Sequence, residues 1–418
     1  MASYPIWHPY TQMQTAGMPV KITRGERELL YDENGNTYID AISSWWVNLH
    51  GHAHPVIARA IYEQALKLEQ VIFAGFTHEP AVDYANMLLR HIPFHQKVFY
   101  TDNGSTAVEV ALKMALQYWK NKGLNKTKII CFRDAYHGDT FGSMSVSARG
   151  VFTNPYQELL FEVCFIDTPT AKNTPAVMEQ LRGHLQRGNV AAFIFEPLVL
   201  GSAGMLMYPP EVLDEMIRLT RESEALSIAD EVFTGFGRTG KFLATDYCMH
   251  RPDIVCLSKG ITGGFIPFAV TTCTLQVYEA FLSHEKTKML FHGHSYSGNP
   301  LGCAAAIASL RLFEEENTLE KIAAIMEAHR QFATRINSMH GVAEVRQTGT
   351  ILAIELENKH GKGYLNPIGE RLRNYALSKG VLLRPLGNVA YVLPPYCIAP
   401  HNLQRVYDCI TGFLQSES

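Results

Sequence analysis

Strand-like and helix-like segments alternate over about two hundred residues in the middle of this chain, and this order restricts its fold more than any other feature. The strand-like runs are KVFYTD, KIICF, FEVCFID, VAAFIFE, LSIADEV, DIVCLS and FAVTTCTL. Helical stretches such as AVEVALKMALQYW and PPEVLDEMIRLTRES lie among them. The alternation predicts an α/β domain with a mainly parallel sheet. Loops at the carboxyl ends of such strands are the expected place for a ligand site.

The chain is longer than one core usually allows, because single cores rarely grow beyond about 250–300 residues. Near the N-terminus, Asn34-Gly35 between two alternating segments predicts a hairpin. A long helical region follows Asn299-Pro300, and short strands return from about Gly341. We therefore predict a large domain over 55–300 and a smaller α+β domain over 301–418, with the N-terminal segment 1–54 packing against the smaller one.

Composition excludes several classes of partner. The formal charge of -3 and a pI near 6.6 give no basic surface for nucleic acid. The eight cysteines form no CxxC pair, so no metal site is predicted, and they are interpreted as buried free thiols of a reducing cytoplasm. The start, MASYPIWHPYTQM, lacks the pattern of a signal peptide, and the longest uncharged run contains too many glycines and threonines for a membrane span. We expect a cytoplasmic protein without a membrane or nucleic-acid partner.

Lys259 closes an apolar run in DIVCLSKGITGG. A lysine at a strand end can simply lay its methylene groups on the core and extend its charge to water. A lysine held at the mouth of a site can instead lose its proton and attack a carbonyl. Its neighbours must decide between these alternatives.

Asp230 ends another apolar strand, in SIADEV. A carboxylate there is costly unless a cation meets it, either in an ordinary ion pair or as the protonated ring nitrogen of a cofactor. The segment continues into GFGRTG (235–240), a literal GxGxxG. No strong helix follows it, so we discount a dinucleotide site and expect a loop shaped around a ligand.

Two further segments follow predicted strands. In DNGST, Ser105 or Thr106 can cap the next helix, but the amides near Gly104, a hydroxyl and the positive helix end also suit a phosphate. In YHGDTFG, Tyr136 can fill a core gap or stack on a flat heteroaromatic ring. An amine, a carboxylate, a phosphate site and a stacking aromatic at one sheet edge together predict a pyridoxal 5′-phosphate site.

The sequence resembles the class III, fold-type I pyridoxal-phosphate aminotransferases over nearly its whole length. The stretches that carry the resemblance are IWHPYTQM, SSWWVNLHGHAHP, DNGSTAVEVALKMALQYW, YHGDTFG, IADEVFTGFGRTGK, LSKGITGG and RPLGNVAYVLPPY. The resemblance implies an imine between Lys259 and the cofactor, Asp230 at the ring nitrogen, and Gly104 with Ser105 at the phosphate. The resemblance also implies that Tyr136 stacks on the cofactor and borders the substrate. It implies that Tyr10 and Trp45 enclose the substrate and that Arg384 receives a substrate carboxylate. Core packing is the alternative for Tyr10 and Trp45.

The resemblance also implies a homodimer. FHGHSYSGNP (291–300) matches the family's loop that reaches the neighbouring subunit's cofactor phosphate, with Gly293, His294 and Ser295 at the matching positions. His294 and Ser295 stand where some relatives have proline and threonine. Gly293 is also predicted to contact substrate, while His294 and Ser295 are predicted to contact the cofactor.

The motifs WHPYT and SSWW are most similar to the family's biotin-pathway members. They imply conversion of 8-amino-7-oxononanoate to 7,8-diaminononanoate by a ping-pong mechanism, with S-adenosylmethionine or else lysine as amino donor. Lys259, Asp230 and Tyr10 are then the predicted catalytic residues, with Arg238 and Asp139 as further contacts to the donor. The alternatives are a class III enzyme for ω-amino acids, diamines or ornithine, a nicotinamide-dependent dehydrogenase and a non-catalytic scaffold.

Overall fold

The computed structural model describes residues 4–357, 361 and 363–417. The strands are β1 (Ile22–Glu26), β2 (Leu29–Asp32), β3 (Thr37–Asp40), β4 (Lys97–Thr101), β5 (Lys128–Phe132), β6 (Cys164–Ile166), β7 (Val190–Phe195), β8 (Val199–Leu200), β9 (Leu206–Met207), β10 (Leu226–Asp230), β11 (Ile254–Leu257), β12 (Ala269–Cys273), β13 (Val342–Thr348), β14 (Ile351–Leu356), β15 (Val381–Leu382) and β16 (Val389–Val392). The helices are α1 (Ser43–Trp46), α2 (Pro55–Ala65), α3 (Glu79–His91), α4 (Gly104–Asn121), α5 (Phe141–Ser145), α6 (Thr174–Leu185), α7 (Pro210–Glu222), α8 (Leu275–Glu279), α9 (Pro300–Glu315), α10 (Thr318–Ile336), α11 (Pro367–Ser378) and α12 (Pro400–Glu417).

A seven-stranded sheet in the order β4-β12-β11-β10-β7-β5-β6 forms the centre of the fold. Every neighbouring pair is parallel except those of β12, which runs antiparallel to β11 and to β4. Each of the seven predicted strand segments contributes one of these strands, so the predicted α/β fold with a mainly parallel sheet is confirmed.

The sheet is covered on both faces, which explains why its strands are continuous apolar runs. Successive residues of β10 point to opposite sides, so Ile228 packs in the core that contains α4. Ala229, the next residue, packs in the core that contains α6 and α7. Both side chains are fully buried.

The described chain also forms a four-stranded, a three-stranded and a two-stranded sheet, the last between β8 and β9. The predicted hairpin forms between β2 and β3, and Gly35 in its turn has a φ of 84°, which suits glycine. β3 then pairs in parallel with β15, so one four-stranded sheet joins segments from the two ends of the chain. β13, β14 and β16 form a three-stranded sheet. The domain boundaries near residues 54 and 300 stay a prediction.

The cysteines of the described chain are free thiols. Six are buried, and Cys164 and Cys397 are partly buried, close to the prediction. Among the described helices, none combines the length and the apolar character that a membrane span requires.

Two histidines inside the fold give a pH prediction. His95 contacts Thr272 and the Pro252 carbonyl, His329 contacts Tyr407 and the Thr350 carbonyl, and burial lowers the pKa of each to about 4. The unfolded chain takes up protons below pH 6.5 that the folded chain does not, so stability is lost as pH falls. We expect a loss of about 2 kcal/mol per histidine between pH 7.5 and 5. Melting temperatures across this range check it, and His329→Gln, compared with the unsubstituted protein, must show a shallower pH slope.

Candidate active site

A cavity of about 730 Å³ opens at the carboxyl ends of the parallel strands. Loops that follow β4, β5, β7, β10 and β11 line it, as expected for a sheet of this kind. The structure brings nine predicted residues into this one cavity: Tyr10, Trp45, Gly104, Ser105, Tyr136, Asp139, Asp230, Lys259 and Arg384.

Lys259 lies directly beyond β11, at the start of a short 3-10 turn, with a φ of 44° that is unusual for a residue with a side chain. Its Nζ lies 4.8 Å from the centre of the Trp46 ring and 5.6 Å from that of Phe233. Within the described chain, no hydrogen bond or ion pair holds this amine. Burial lowers the pKa of Lys259, with the Arg238 charge acting in the same direction and Asp230 and Glu196 opposing it. The amine is therefore biased toward its neutral, nucleophilic form.

Asp230 presents a buried carboxylate to the same cavity. Its Oδ1 accepts the backbone N–H of Val232 at 3.1 Å, and its Oδ2 lies 2.7 Å from His137 Nδ1. His137 Nε2 is buried and has no partner among the described residues. The carboxylate is thus oriented by its neighbours, in the position from which it can meet a cationic ring.

Glu196 is a second buried carboxylate of the cavity, and the sequence reasoning missed it. It accepts the N–H groups of Tyr136 at 2.9 Å and Gly201 at 3.0 Å, and burial raises its pKa to about 7. Glu196 follows the apolar strand β7, and Asp230 ends the apolar strand β10. A carboxylate at the end of a buried strand is therefore a sequence pattern that both residues share, and it could have identified Glu196. His137, Phe152 and Tyr364 also line the cavity without having been predicted as site residues, and for the last two no local sequence pattern indicated a site.

The start of α4 forms a small polar cradle. Asn103 caps the helix by accepting the N–H of Thr106 at 3.0 Å, so neither Ser105 nor Thr106 is the cap. The Ser105 hydroxyl instead lies 2.8 Å from the Thr140 hydroxyl. A Cβ at Gly138 would lie 2.3 Å from Ser105 Oγ, and one at Gly104 would lie 2.6 Å from Val232 Cγ1. The glycines thus bring the loops close around the first amides of α4, which lack acceptors within the helix.

An aromatic wall forms the other side of the cavity. Trp45 packs edge-on against Tyr10 at 5.6 Å between ring centres, and the Arg384 guanidinium lies 4.4 Å from the Trp45 ring centre. The Tyr10 hydroxyl donates to Asp139 and lies 3.3 Å from the Tyr136 hydroxyl. Burial, followed by the bond to Asp139, raises the pKa of Tyr10 to about 12. The wall combines apolar area with one fixed cation.

Other predicted residues lie outside this cavity. Gly293, His294 and Ser295 do not line it, and the Ser295 carbonyl accepts from Gln70 instead. The GFGRTG loop packs against α9 and α10 through Gly237 and does not line the cavity, contrary to the expected ligand loop.

Arg238, within that loop, is also absent from the cavity lining. It is buried and donates to the carbonyls of Pro394 at 3.2 Å, Trp46 at 3.3 Å and Asn48 at 3.0 Å. The structure therefore does not support its predicted contact with the donor, because the guanidinium is engaged by backbone.

Comparison with known proteins decides the family. The family model described as aminotransferase class-III matches residues 10–414, which include every residue of the cavity described above. The chain is a class-III aminotransferase. A GxGxxG dehydrogenase is thereby excluded, since neither the loop nor the family fits one.

This aminotransferase is similar to curated relatives over nearly its full length. The adenosylmethionine-8-amino-7-oxononanoate aminotransferase of Synechococcus elongatus is 47% identical and covers 99% of each chain. That of Geobacter sulfurreducens is 40% identical, covering 96% of this chain and 94% of the relative. The crystal structure of the same enzyme from Methanocaldococcus jannaschii superposes with a TM-score of 0.93 at 36% identity, over 99% and 97% of the two chains.

A second solved structure bears on the cofactor. An amine transaminase from an uncultivated Pseudomonas species, in the PLP-bound form, is 29% identical, with a TM-score of 0.92 over 99% of each chain. The aminotransferase described here is a pyridoxal-phosphate enzyme, as predicted. Its cavity fits that group, because at one sheet edge it holds an amine without a hydrogen-bond or ion-pair partner among the described residues, an oriented carboxylate and a glycine-walled helix terminus.

Proposed function

We propose that this aminotransferase transfers an amino group to 8-amino-7-oxononanoate, giving 7,8-diaminononanoate in biotin biosynthesis. The observation that carries the proposal is the Arg384 guanidinium held against Trp45 in the same cavity as the Lys259 amine. An apolar chain that ends in a carboxylate requires an apolar wall and one cation at a fixed distance from the reacting amine. The names of the two curated relatives described above include this substrate.

We propose that the cofactor binds in the same cavity. Lys259 would hold pyridoxal phosphate covalently, Asp230 would face its ring nitrogen, and Tyr136 would stack on the ring. Gly104 and Ser105 would receive the phosphate at the start of α4. When bound, this group supplies a reactive carbonyl and a sink for the electron pair released from the substrate carbon.

The residues of the chain then handle protons. An ordinary lysine has a pKa of about 10.4 and would be protonated at neutral pH. Because burial lowers the pKa of Lys259, its Nζ can take the proton from the donor's α carbon and return it later. Asp230 would keep a proton on the ring nitrogen, and the aromatic residues Tyr10, Trp45 and Phe152, which line the cavity, would exclude water from the reacting atoms.

We propose S-adenosylmethionine as the amino donor, with lysine as the alternative. Purified enzyme mixed with 8-amino-7-oxononanoate and either donor, followed by mass detection of the diamine, separates the two. Diamine formed with adenosylmethionine but not with lysine supports the proposal. Diamine formed with lysine but not with adenosylmethionine contradicts the proposed donor. No product with either donor overturns the acceptor.

Arg384→Ala should raise the KM for 8-amino-7-oxononanoate by about 10- to 100-fold, because a charge-assisted bond to the carboxylate is lost. The donor half-reaction and the retention of cofactor should change little. Arg384→Lys keeps the positive charge but lacks the planar guanidinium, so its KM should lie between those of the unsubstituted enzyme and Arg384→Ala. Steady-state kinetics check this, and an unchanged KM would place the carboxylate site elsewhere.

We further propose a homodimer in which Gly293, His294 and Ser295 reach the neighbouring subunit's site. Their position outside this chain's own cavity is compatible with that role. Sedimentation equilibrium should give twice the chain mass of 46.8 kDa. A monomer that is fully active would overturn the proposal.

We propose a cytoplasmic location, because the cysteines of the described chain are free and mostly buried. Fractionation of cells with an antibody to the protein tests it. Recovery in an oxidising compartment would contradict it.

A further inference from the structure

The segment that carries the aromatic wall has an unusual backbone. Ser43, Ser44 and Trp46 have φ values of 52°, 61° and 68°, in the left-handed region that side chains seldom adopt. Between them, Trp45 has a φ of -134°. Such a run persists only where surrounding contacts hold it. Its effect is to direct Trp45 toward Arg384 and Trp46 toward Lys259.

Asp40 supplies both side-chain contacts to Ser44, inside this segment, and a third to Ile42 just before it. It is fully buried at the end of β3, and its Oδ1 accepts the N–H groups of Ile42 at 3.2 Å and Ser44 at 2.9 Å. Its Oδ2 accepts the Ser44 hydroxyl at 3.1 Å and lies 2.9 Å from His52 Nε2. One carboxylate therefore links the start of the strained segment to a histidine eight residues or more beyond it.

Other anchors act on the same segment through backbone and hydroxyl groups. The Ser43 hydroxyl donates to the Leu393 carbonyl at 2.8 Å, and Arg238 donates to the Trp46 carbonyl. These anchors fix the ends of the segment, whereas Asp40 alone bonds the Ser44 amide inside it. The imidazole of His52 is the remaining partner of that carboxylate and limits its rotation.

We propose that Asp40 and His52 are positioning residues for the amino acceptor: their contact fixes the Ser43–Trp46 segment and thereby the position of Trp45 beside Arg384. This inference rests on the proposed function, in which Arg384 receives the acceptor's carboxylate. Neither residue lines the cavity, so they act through Trp45.

The kinetic test uses Asp40→Asn, His52→Ala and His52→Gln. We expect the KM for 8-amino-7-oxononanoate to rise about tenfold in the first two, while the rate of the donor half-reaction changes less than about threefold. The KM of His52→Gln should lie close to that of the unsubstituted enzyme, because the glutamine amide can donate to Asp40 in place of the imidazole. Equal changes in both half-reactions, or no change in KM, would overturn the proposal.

The matched control is Asp214→Asn on α7. Asp214 also accepts a backbone N–H, from His250 at 2.7 Å, and contacts the ring of that histidine at 3.1 Å. It does not line the cavity, so this variant should keep the KM even if its melting temperature falls. A rise in KM equal to that of Asp40→Asn would mean that general destabilisation explains the effect.

A second measurement is independent of the substrate. Of the four tryptophans, Trp7 and Trp45 are exposed by 87% and 38%, while Trp46 and Trp119 are buried. In a Trp7→Phe background, acrylamide therefore quenches mainly Trp45. Asp40→Asn should raise the quenching constant about twofold and Asp214→Asn should not; an unchanged constant overturns the positioning role. If the enzyme does not use 8-amino-7-oxononanoate at all, the proposed function is wrong. The quenching measurement still decides whether Asp40 positions Trp45.

Discussion

Lys259→Ala should reduce turnover about 10⁴-fold or more and abolish the visible absorption of the bound cofactor. In the proposed mechanism the side chain is both the point of covalent attachment and the base that moves the proton, so its loss removes two contributions. No other described lysine lines the cavity to replace it. Absorption spectra and half-reaction kinetics of the purified variant check the result.

Lys126→Ala is the matched control for that variant. Lys126 is also buried, lies 4.1 Å from the centre of the Trp119 ring and donates to the Glu224 carbonyl, with a pKa lowered by burial. It does not line the cavity, so its loss should affect stability but leave the spectrum and turnover intact. Full activity of Lys259→Ala would remove the lysine from the mechanism.

Asp230→Asn should lower kcat in both half-reactions by about 10²- to 10³-fold, comparable to loss of one preorganised electrostatic group. Asparagine keeps the size of the side chain and a bond to His137 or Val232, but it lacks the charge that, in the proposed mechanism, would keep a proton on the ring nitrogen. The protein should still fold and retain cofactor through Lys259. Single-turnover kinetics with each substrate measure the effect.

Asp253→Asn is the matched control for Asp230→Asn. It shows what the loss of a buried carboxylate outside the cavity does to the enzyme. Asp253 is buried beside β11 in the same sheet and accepts the N–H and hydroxyl of Ser227, both at 2.8 Å. It lies at the end of the strand away from the cavity, so its variant should lose stability and keep kcat. Equal losses of kcat in the two variants would deny Asp230 its role.

The central sheet was predictable because its strands are buried on both faces and therefore appear as continuous apolar runs. The position of Lys259 and Asp230 at its edge followed from parallel topology alone. The N-cap of α4 was harder to predict, because the side chains of Asn103, Ser105 and Thr106 can all cap a helix. The Ser105 hydroxyl contacts Thr140 because the loop that contains Gly138 approaches the helix closely, which the local sequence does not indicate.

Long-range contacts explain what the sequence could not indicate. Arg238 has the chemistry of a ligand contact, but the carbonyls that engage it come from residues 46, 48 and 394. Tyr364 reaches the aromatic wall from a loop with no periodic pattern. The strained backbone from Ser43 to Trp46 makes contacts with Asp40 and Leu393, and Asp40 in turn contacts His52, so local propensity alone cannot predict it.

The most direct measurement of the central claim is borohydride reduction of the purified protein followed by peptide mass spectrometry. The predicted result is one peptide that contains Lys259 and carries the added mass of the reduced cofactor, with that mass located on the lysine. Cofactor attached to a different lysine, or none attached in an active enzyme, would contradict the account.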